Sequence, residues 1–323
     1  MDIALRALTL SDVPALTALR AAAERADRSG MHFDETDIRS ELTDPKLDLA
    51  TDAVGAWQGA QLVGFATLYA PERVRDVVRF EAAAEVDPAR RGHGVGGELI
   101  RWMRERARAV HAERGFDAPG ELLLSGVATN TGLAALARRT GFTPCRHWAG
   151  MTHDLRPGGV PRAAVPAGLR LVPYTAAYEE ATRLAHNDAF TDHWDFTGAD
   201  PEDWRAWGPA GHSFRPELSA LLLEPDGRVA AYLLTDEYAA DAAATGVRAC
   251  TLAFLGTRPA HRGRGAARAL LAHTLHEARR LGYDRAELVV DTESPTGAPG
   301  LYRWAGFRPG VRFVTYAGPL TGC

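Results

Sequence analysis

The sequence predicts an α/β chain of 323 residues made of two tandem copies of one unit. Three observations predict it. A strand, a glycine loop and a helix follow one another twice; the same order of elements surrounds both copies; and a Pro/Gly-rich segment separates them.

The device is plainest in HRGRGAARALL, His261 to Leu271. The preceding run RACTLAFLGT reads as a strand. Gly263 and Gly265 permit positive φ and a close approach of backbone to a bulky group. The stretch that follows is rich in Ala, Leu and Arg, and Ala267, Leu270, Leu271, Thr274, Leu275 and Ala278 recur at helical spacing, so one face is buried. Gly282 suits the end of that helix. A helix that starts straight after a glycine loop has unpaired first-turn N–H groups and a positive dipole end, which together hold an anion. Arg262 and Arg264 add charge, so a phosphate or pyrophosphate is the expected guest.

A single loop of this kind is equally a solvated turn; its repetition decides the matter. In RRGHGVGGELIRWMRERARA, Arg91, Gly94 and Gly96 match Arg262, Gly265 and Ala267. Both copies follow an apolar run and a proline, VDPARRGHG and TRPAHRGRG, and both precede a second strand-like run, ELLLSGVA and RAELVVDT. Both then close with a short helix ending in Gly-Phe, RRTGF at 138–142 and RWAGF at 303–307. The first copy is longer by a polar loop, HAERGFDAPGE at 111–121.

The other elements follow in order. IALRALT alternates as a strand, and SDVPALTALRAAAERA reads as a helix with Ser11 as its N-cap. DETDIRSELT is a second helix, LATDAVGAW and AQLVGFATLYA form a hairpin-like pair, and VVRFEAAAEV leads into the first glycine loop. After Gly141-Phe142, TPCRHWAG and MTHDL are expected as two closing runs. LRPGGVPRAAVPAG then reads as a linker, which places the domains at 1–154 and 168–323 with 155–167 between them. The second unit restarts with LRLVPYT and the helix AAYEEATRLAHNDAF, and LSALLLEPDGRVAAYLLTDEY is a hairpin turning at Asp226-Gly227.

Bulk properties narrow the function. The length suits two domains of about 150 residues, each with its own core. Apolar residues make up 46% and charged residues 24%, as in a soluble globular protein. A net charge of −4 argues against a nucleic-acid binder. Lys46 is the only lysine, so neither glycine-loop unit offers a lysine nucleophile. The start MDIALRALTLSD lacks the apolar core of a signal peptide, and no run is apolar enough to span a membrane, so a cytoplasmic location without membrane contact is expected. Cys145, Cys250 and Cys323 lack disulfide or metal spacing. Neither loop ends in Gly-Lys-Ser/Thr, which disfavours a P-loop.

Both halves resemble the GNAT superfamily of CoA-dependent N-acyltransferases. The family's Arg/Gln-x-x-Gly-x-Gly/Ala motif stands as Arg91-x-x-Gly94-x-Gly96 and as Arg262-x-x-Gly265-x-Ala267, and the similarity covers nearly the whole chain outside the linker. The resemblance implies two tandem GNAT domains of class α/β (α+β), each with a mixed, mostly antiparallel central sheet, flanking helices and a splayed acyl-CoA cleft. It implies acetyl-CoA as co-substrate, held by Arg262, Gly263, Arg264, Gly265, Ala266 and Ala267, with Leu255 and Thr257 beside it. A second CoA in the first half would lie on Arg91, Gly92, His93, Gly94, Val95 and Gly96.

An amine attacking a thioester needs alignment, a donor for the developing oxyanion and an acid for the departing thiolate. By resemblance, the donor is a backbone N–H around Gly256 and the acid is a tyrosine in the pattern Leu-Tyr-x-x-x-Gly-Phe, here Tyr302. The first half reads LARRTGF, with Ala137 at the tyrosine position, so the C-terminal half is expected to be the catalyst. Asn130 stands where the family often contacts the pantetheine arm, and Ser294 lies near that place in the second half. Many relatives carry a glutamate on the strand before the loop; CTLAFLGTRP has none. Asp236 and Glu237, groups from AHNDAFTDHWDF at 185–196, or a water chain are then the candidate bases. Glu81 and Glu85 in the first half keep a reversed assignment open.

The segment AHNDAFTDHWDF belongs to the part of the fold that roofs the amine pocket. His186, Asn187, Asp192, His193 and Trp194 are candidate acceptor contacts, set against a plainer reading as helix edge and core. The spacing of His186 and His193 matches no metal site, and no metal is expected. The expected activity is N-acetylation of a small primary amine, such as an amino sugar, amino acid or antibiotic-like compound, by direct attack in a ternary complex. Acetylation of a protein or peptide, and a non-catalytic CoA-binding module, are the alternatives. The protein is expected to be a monomer or homodimer.

Overall fold

The computed structural model describes residues 3–156, 159–209 and 211–320. The first half runs β1 (Ala4–Ala7), α1 (Val13–Asp27), α2 (Glu35–Leu42), β2 (Ala53–Gln58), β3 (Gln61–Tyr69), β4 (Val78–Val86), α3 (Val95–Glu113), β5 (Gly120–Val127), α4 (Thr131–Arg139) and β6 (Thr143–Asp154). The second runs β7 (Arg170–Pro173), α5 (Glu179–Ala189), α6 (Pro201–Trp207), β8 (Ala220–Leu223), β9 (Val229–Asp236), α7 (Ala239–Thr245), β10 (Ala249–Thr257), α8 (Ala266–Arg280), β11 (Arg285–Asp291), α9 (Ala298–Trp304) and β12 (Arg308–Pro319). The repeat read from the sequence is therefore present element by element.

Three local readings change. TPCRHWAG and MTHDL form one continuous strand, β6. Ser11 is not the cap of α1: it lies in a 3₁₀ turn, Leu10–Asp12, where the Asp12 carboxylate accepts the Thr9 N–H and pairs with Arg6. The helix α7 goes unread in the sequence because AADAAAT is too short for a periodic pattern.

Residues form two compact units, Met1–Trp148 with Val311–Cys323, and Ala149–Gly310. The division follows exchanged strands, whereas 1–154, 155–167 and 168–323 follow the repeat. In the first unit β12 pairs antiparallel with β5, Phe313 opposite Val127 through Pro319 opposite Glu121, and Val314, Tyr316 and Leu320 join the core beneath α3. In the second unit the end of β6 lies beside β11, and Leu155, within the stretch read as linker, is wholly buried in the core under α8.

Each unit is a mixed sheet, with one parallel pair among its described pairings. β1 through β4 are antiparallel neighbours and β4 pairs parallel with β5; β7 through β10 are antiparallel neighbours and β10 pairs parallel with β11. Those parallel pairs are short. β4 and β5 are joined only over Val78–Ala82 with Gly120–Leu124, and β10 and β11 only over Ala249–Thr251 with Arg285–Glu287. Beyond these points each unit has a cleft whose edge backbone is unpaired with its neighbour. Besides α7, the bulge is not repeated: β10 carries one against β9 between Leu252 and Phe254, while β4 meets β3 without a register shift.

Ending the chain before Val311 removes three buried side chains, worth roughly 1.5–3 kcal/mol each, from the first unit. Amide exchange should speed up over Glu121–Val127 and that unit's melting midpoint should fall by roughly 10 °C or more, while β9 and β10 stay protected. Unchanged protection of β5 would show that β12 does not complete this sheet.

Candidate functional site

Both glycine loops adopt the conformation their sequence allows. Gly92 and Gly94 have φ of 78° and 93°, and Gly263 and Gly265 have 73° and 89°. These left-handed conformations strain any other residue. Gly94 and Gly265 are the N-caps of α3 and α8, so the first-turn N–H groups open onto each loop. Val95 and Ala266 turn inward and are buried, contributing backbone to the loop and side chain to the core. Gly96 is a glycine for packing, since a Cβ there would meet the Leu136 methyl at 2.8 Å. His93 and Arg264 are exposed; His93 bonds the Arg91 carbonyl at 2.9 Å, and Arg264 approaches His261 at 3.5 Å.

The two motif arginines act as straps. Arg91 donates Nε–H to the Val86 carbonyl at 3.2 Å and grips both Asp27 oxygens, at 2.6 and 2.8 Å. Arg262 donates to the Thr257 carbonyl at 3.3 Å, to Asp192 at 2.6 Å and to the Ala189 carbonyl at 2.9 Å. In each half the arginine ties the strand end and the loop to the end of the first long helix. Asp192, a candidate acceptor contact in the sequence, is the partner in the second of these straps.

Strand phase decides which peptide groups face the cleft. Arg258 N–H donates to the Ala230 carbonyl at 3.0 Å, and the register pairs Thr257 with Ala231, Gly256 with Tyr232 and Leu255 with Leu233. Hydrogen-bonded and non-hydrogen-bonded pairs alternate in an antiparallel ladder. Gly256 therefore spends its N–H on β9, and Leu255 and Thr257 direct theirs to the open edge where β11 no longer pairs. Of the three peptides Leu255, Gly256 and Thr257 in the expected donor region, the ladder phase leaves the N–H groups of Leu255 and Thr257 off β9. Gly256 is a glycine for another reason: a Cβ there would sit 2.7 Å from Cζ of Tyr232 and 2.8 Å from its hydroxyl.

Tyr302 lies on α9, half-buried, edge-on to Phe307 at 5.9 Å. Burial pushes its hydroxyl up to about 12, so it keeps its proton at neutral pH. Its charge would also be felt by Tyr232, whose own hydroxyl is raised chiefly by burial and further by Tyr302. The matching Ala137 is fully buried. Asn130 caps α4, accepting the Leu133 N–H at 2.9 Å, and donates to Asp27 at 3.3 Å. Ser294 shares a 2.8 Å hydroxyl contact with Thr296 in the turn before α9.

Asp236 and Glu237, adjacent in sequence, have opposite environments. Burial raises Glu237, but hydrogen bonds from Arg248, Tyr283 and Arg215 outweigh it and hold the carboxyl at about 2. A carboxylate with its lone pairs taken is a poor proton acceptor, so Glu237 is a structural anion. For Asp236, burial outweighs the Tyr238 hydroxyl and the Arg215 charge and pushes the carboxyl up to about 6. Asp236 stands opposite Thr251, which stands opposite Glu287 on β11. Two carboxylates thus flank Thr251 where the cleft opens, and burial raises Glu287 as well, against the opposing charge of Arg285. Sequence reading missed Glu287 because the register of β10 and β11 is not visible in one dimension. In the first half Glu81 is exposed, and Glu85 is raised by burial beside Arg20, which also binds Glu41 at 2.6 Å.

His186 is only 1% exposed, stacked on Phe190 at 4.4 Å and bordered by Trp204 and Phe254, so it cannot meet an acceptor directly. Burial, then the nearby His193, hold it down at about 3. Asn187 closes the following loop through two bonds to Ala199, at 3.0 and 2.8 Å. His193 contacts the Trp194 carbonyl at 3.0 Å, and Trp194 is half-buried. Of these residues His186 is buried, while Asn187, Asp192 and His193 are engaged along the end of α5 and the loop after it. Among the described residues no three His, Cys, Asp or Glu side chains are placed to hold a metal ion, and no helix is long and apolar enough to cross a membrane.

The Acetyltransferase (GNAT) family matches residues 17–142 and 179–307. A mycothiol acetyltransferase from Parafrankia sp. is 30% identical over 98% of this chain and 98% of its own. One from Kineococcus radiotolerans is 32% identical over 94% and 92%. Among solved structures, a GCN5-related N-acetyltransferase from Sphaerobacter thermophilus superposes with a TM-score of 0.77 at 27% identity, covering 99% of this chain and 96% of its own. A tandem GNAT protein from the clavulanic acid biosynthesis pathway gives a TM-score of 0.72 at 18% identity, covering both chains completely, which supports the fold.

Replacing Arg262 by Ala should release the strap without unfolding the unit. Amide exchange at Gly263–Ala267 should accelerate by about tenfold or less, the equivalent of the roughly 1 kcal/mol that a half-exposed pair contributes, and that of β9 should not. Unaltered loop exchange would show that the ion pair does not hold it.

Proposed function

The chain belongs to the GNAT acetyltransferase family, and from that premise we propose that its second half transfers an acetyl group from acetyl-CoA to the primary amine of a small molecule. It is an N-acyltransferase with two tandem GNAT domains. The observation that carries the assignment to one half is the bulge at Leu252–Phe254 beside the open edge of β10, in a half that carries Tyr302 on α9, against a first half with an unbulged strand and a buried Ala137.

The second unit's residues fit a CoA thioester. The Gly263–Gly265 loop and the first turn of α8 offer backbone N–H groups to a pyrophosphate. The open β10 edge offers the Leu255 and Thr257 N–H groups to an extended amide-bearing arm, as a third strand would. Bound acetyl-CoA supplies the activated acetyl carbonyl. Leu255 N–H donates to the carbonyl oxygen as negative charge grows on it, a stabilisation worth roughly 3–4 kcal/mol for one preorganised donor. Asp236, unprotonated above about pH 6, takes the amine proton directly or through water. Tyr302, protonated at neutral pH, gives its proton to the leaving sulfur.

Asp236 and Glu287 also give the acceptor side a negative character suited to an ammonium that loses its proton on arrival. Relatives named mycothiol acetyltransferases support an acceptor of small-molecule size, and the mycothiol series joins amino sugars, amino acids and antibiotic-like amines among those to assay. The Gly92–Gly94 loop supports a second CoA in the first half, held for stability rather than turnover.

Acetyl-CoA turnover across that amine panel tests the reading, and no amine-dependent release of CoA would sink it. Tyr302→Phe should lower kcat by about 10²-fold and leave the KM for acetyl-CoA nearly unchanged. The rate should rise as pH climbs through about 6 and level off above, because the base works deprotonated; Asp236→Asn should erase that limb. A pH profile identical in Asp236→Asn and wild type would remove Asp236 from the reaction. Gly265→Glu should abolish turnover while Gly94→Glu removes only a second calorimetric site; the reverse pattern would assign the chemistry to the first half.

A further inference from the structure

We infer that Tyr232, backed by His186, is a positioning residue that fixes the Leu255 N–H in the cleft of the second half. The inference rests on the reading of that cleft as an acetyl-CoA site. Along β10, Phe254 and Gly256 face α5, while Leu255 between them faces the core under α8 and sends its N–H to the open edge. Both flanking positions are gripped from the α5 side. The Tyr232 ring lies across Gly256, filling the space a Cβ would need. The Phe254 ring meets His186 edge to face at 5.2 Å. Tyr232 and His186 are themselves joined by a 2.5 Å hydrogen bond between the phenol and Nδ1, and both are at most 1% exposed.

The result is a clamp. Helix α5 holds His186, His186 holds Tyr232 and Phe254, and these two fix the peptide planes on either side of Leu255. A strand edge that has lost its neighbour, next to a bulge, has freedom to pucker. An oxyanion donor works only if it is already aimed. The clamp supplies that aim from behind without touching acetyl-CoA. It has no counterpart in the first half: Phe65 stands opposite Glu85, a phenyl ring without a hydroxyl facing a position that is not glycine, on a strand without a bulge. The asymmetry follows the asymmetry of Tyr302 and Ala137, although the two pairs lie on different elements.

The test uses carbonyl-labelled acetyl-CoA bound to the full chain, with its C=O stretch read by infrared difference spectroscopy and its Kd by calorimetry. The wild-type stretch should shift to lower frequency on binding. Tyr232→Leu should lose at least about half of that shift, the signature of a misaimed donor, with Kd within about threefold. Tyr232→Phe, which keeps the ring over Gly256, should retain most of it. Should Tyr232→Leu fail to fold, Gly256→Ala presses a methyl group into the same ring and should produce the same loss. A full shift in folded Tyr232→Leu, or in Gly256→Ala, overturns the inference and leaves the acetyltransferase reading standing. Absence of acetyl-CoA binding by the wild type overturns both.

Discussion

Backbone N–H groups of Leu255 and Thr257 face an edge from which the next strand has withdrawn, and most of the second unit can be understood as the means of keeping that edge open and rigid. Pairing between β10 and β11 ends at Thr251. An unpaired strand edge ordinarily invites another strand. Here the opening leads at one end to the Gly263–Gly265 loop and at the other to the carboxylate row of Asp236 and Glu287. In the proposed function, a thioester arm laid along it would satisfy the Leu255 and Thr257 N–H groups, so that binding would draw on the interrupted parallel ladder.

The straps explain why the edge does not drift. Arg262 and Arg91 sit in a motif whose obvious reading is positive charge for phosphate, yet both guanidinium groups are engaged within the protein, on Asp192 and Asp27 and on the carbonyl ending the strand. Their main structural effect is to fix the loop's backbone, whose N–H groups then face the anion site. This division of labour, side chain for geometry and backbone for ligand, is repeated at Gly256, where the absence of a side chain admits Tyr232 and the neighbouring peptides do the donating.

The halves share a glycine loop and differ around it. Both halves keep the loop, the strap and the splay. The second adds the bulge and the tyrosine on the last helix. In the first, the corresponding face is organised around Arg20 between Glu41 and Glu85, with the guanidinium 3.5 Å from the Phe33 ring centre. There burial raises both acids against the charge of Arg20, whereas hydrogen bonds from Arg248, Tyr283 and Arg215 hold Glu237 down.

By itself the sequence determined the tandem repeat, the glycine loops with their positive φ, the helix starts behind them and the contrast between Tyr302 and Ala137. All of these are local or periodic signals that short-range sterics and helix geometry enforce. Only the tertiary structure decided which strand ends belong to which unit, because exchange of β6 and β12 leaves no mark on local pattern. It also decided that Leu255 and Thr257, not Gly256, face the cleft, since ladder phase depends on a partner strand. That His186 is buried against Phe190 and Asp192 is paired with Arg262 is likewise invisible in one dimension, because polar residues look alike whether they are packed, paired or open. Asp236 and Glu237 are neighbours in the chain, yet burial raises one and hydrogen bonds from Arg248, Tyr283 and Arg215 lower the other; both environments are properties of the folded chain.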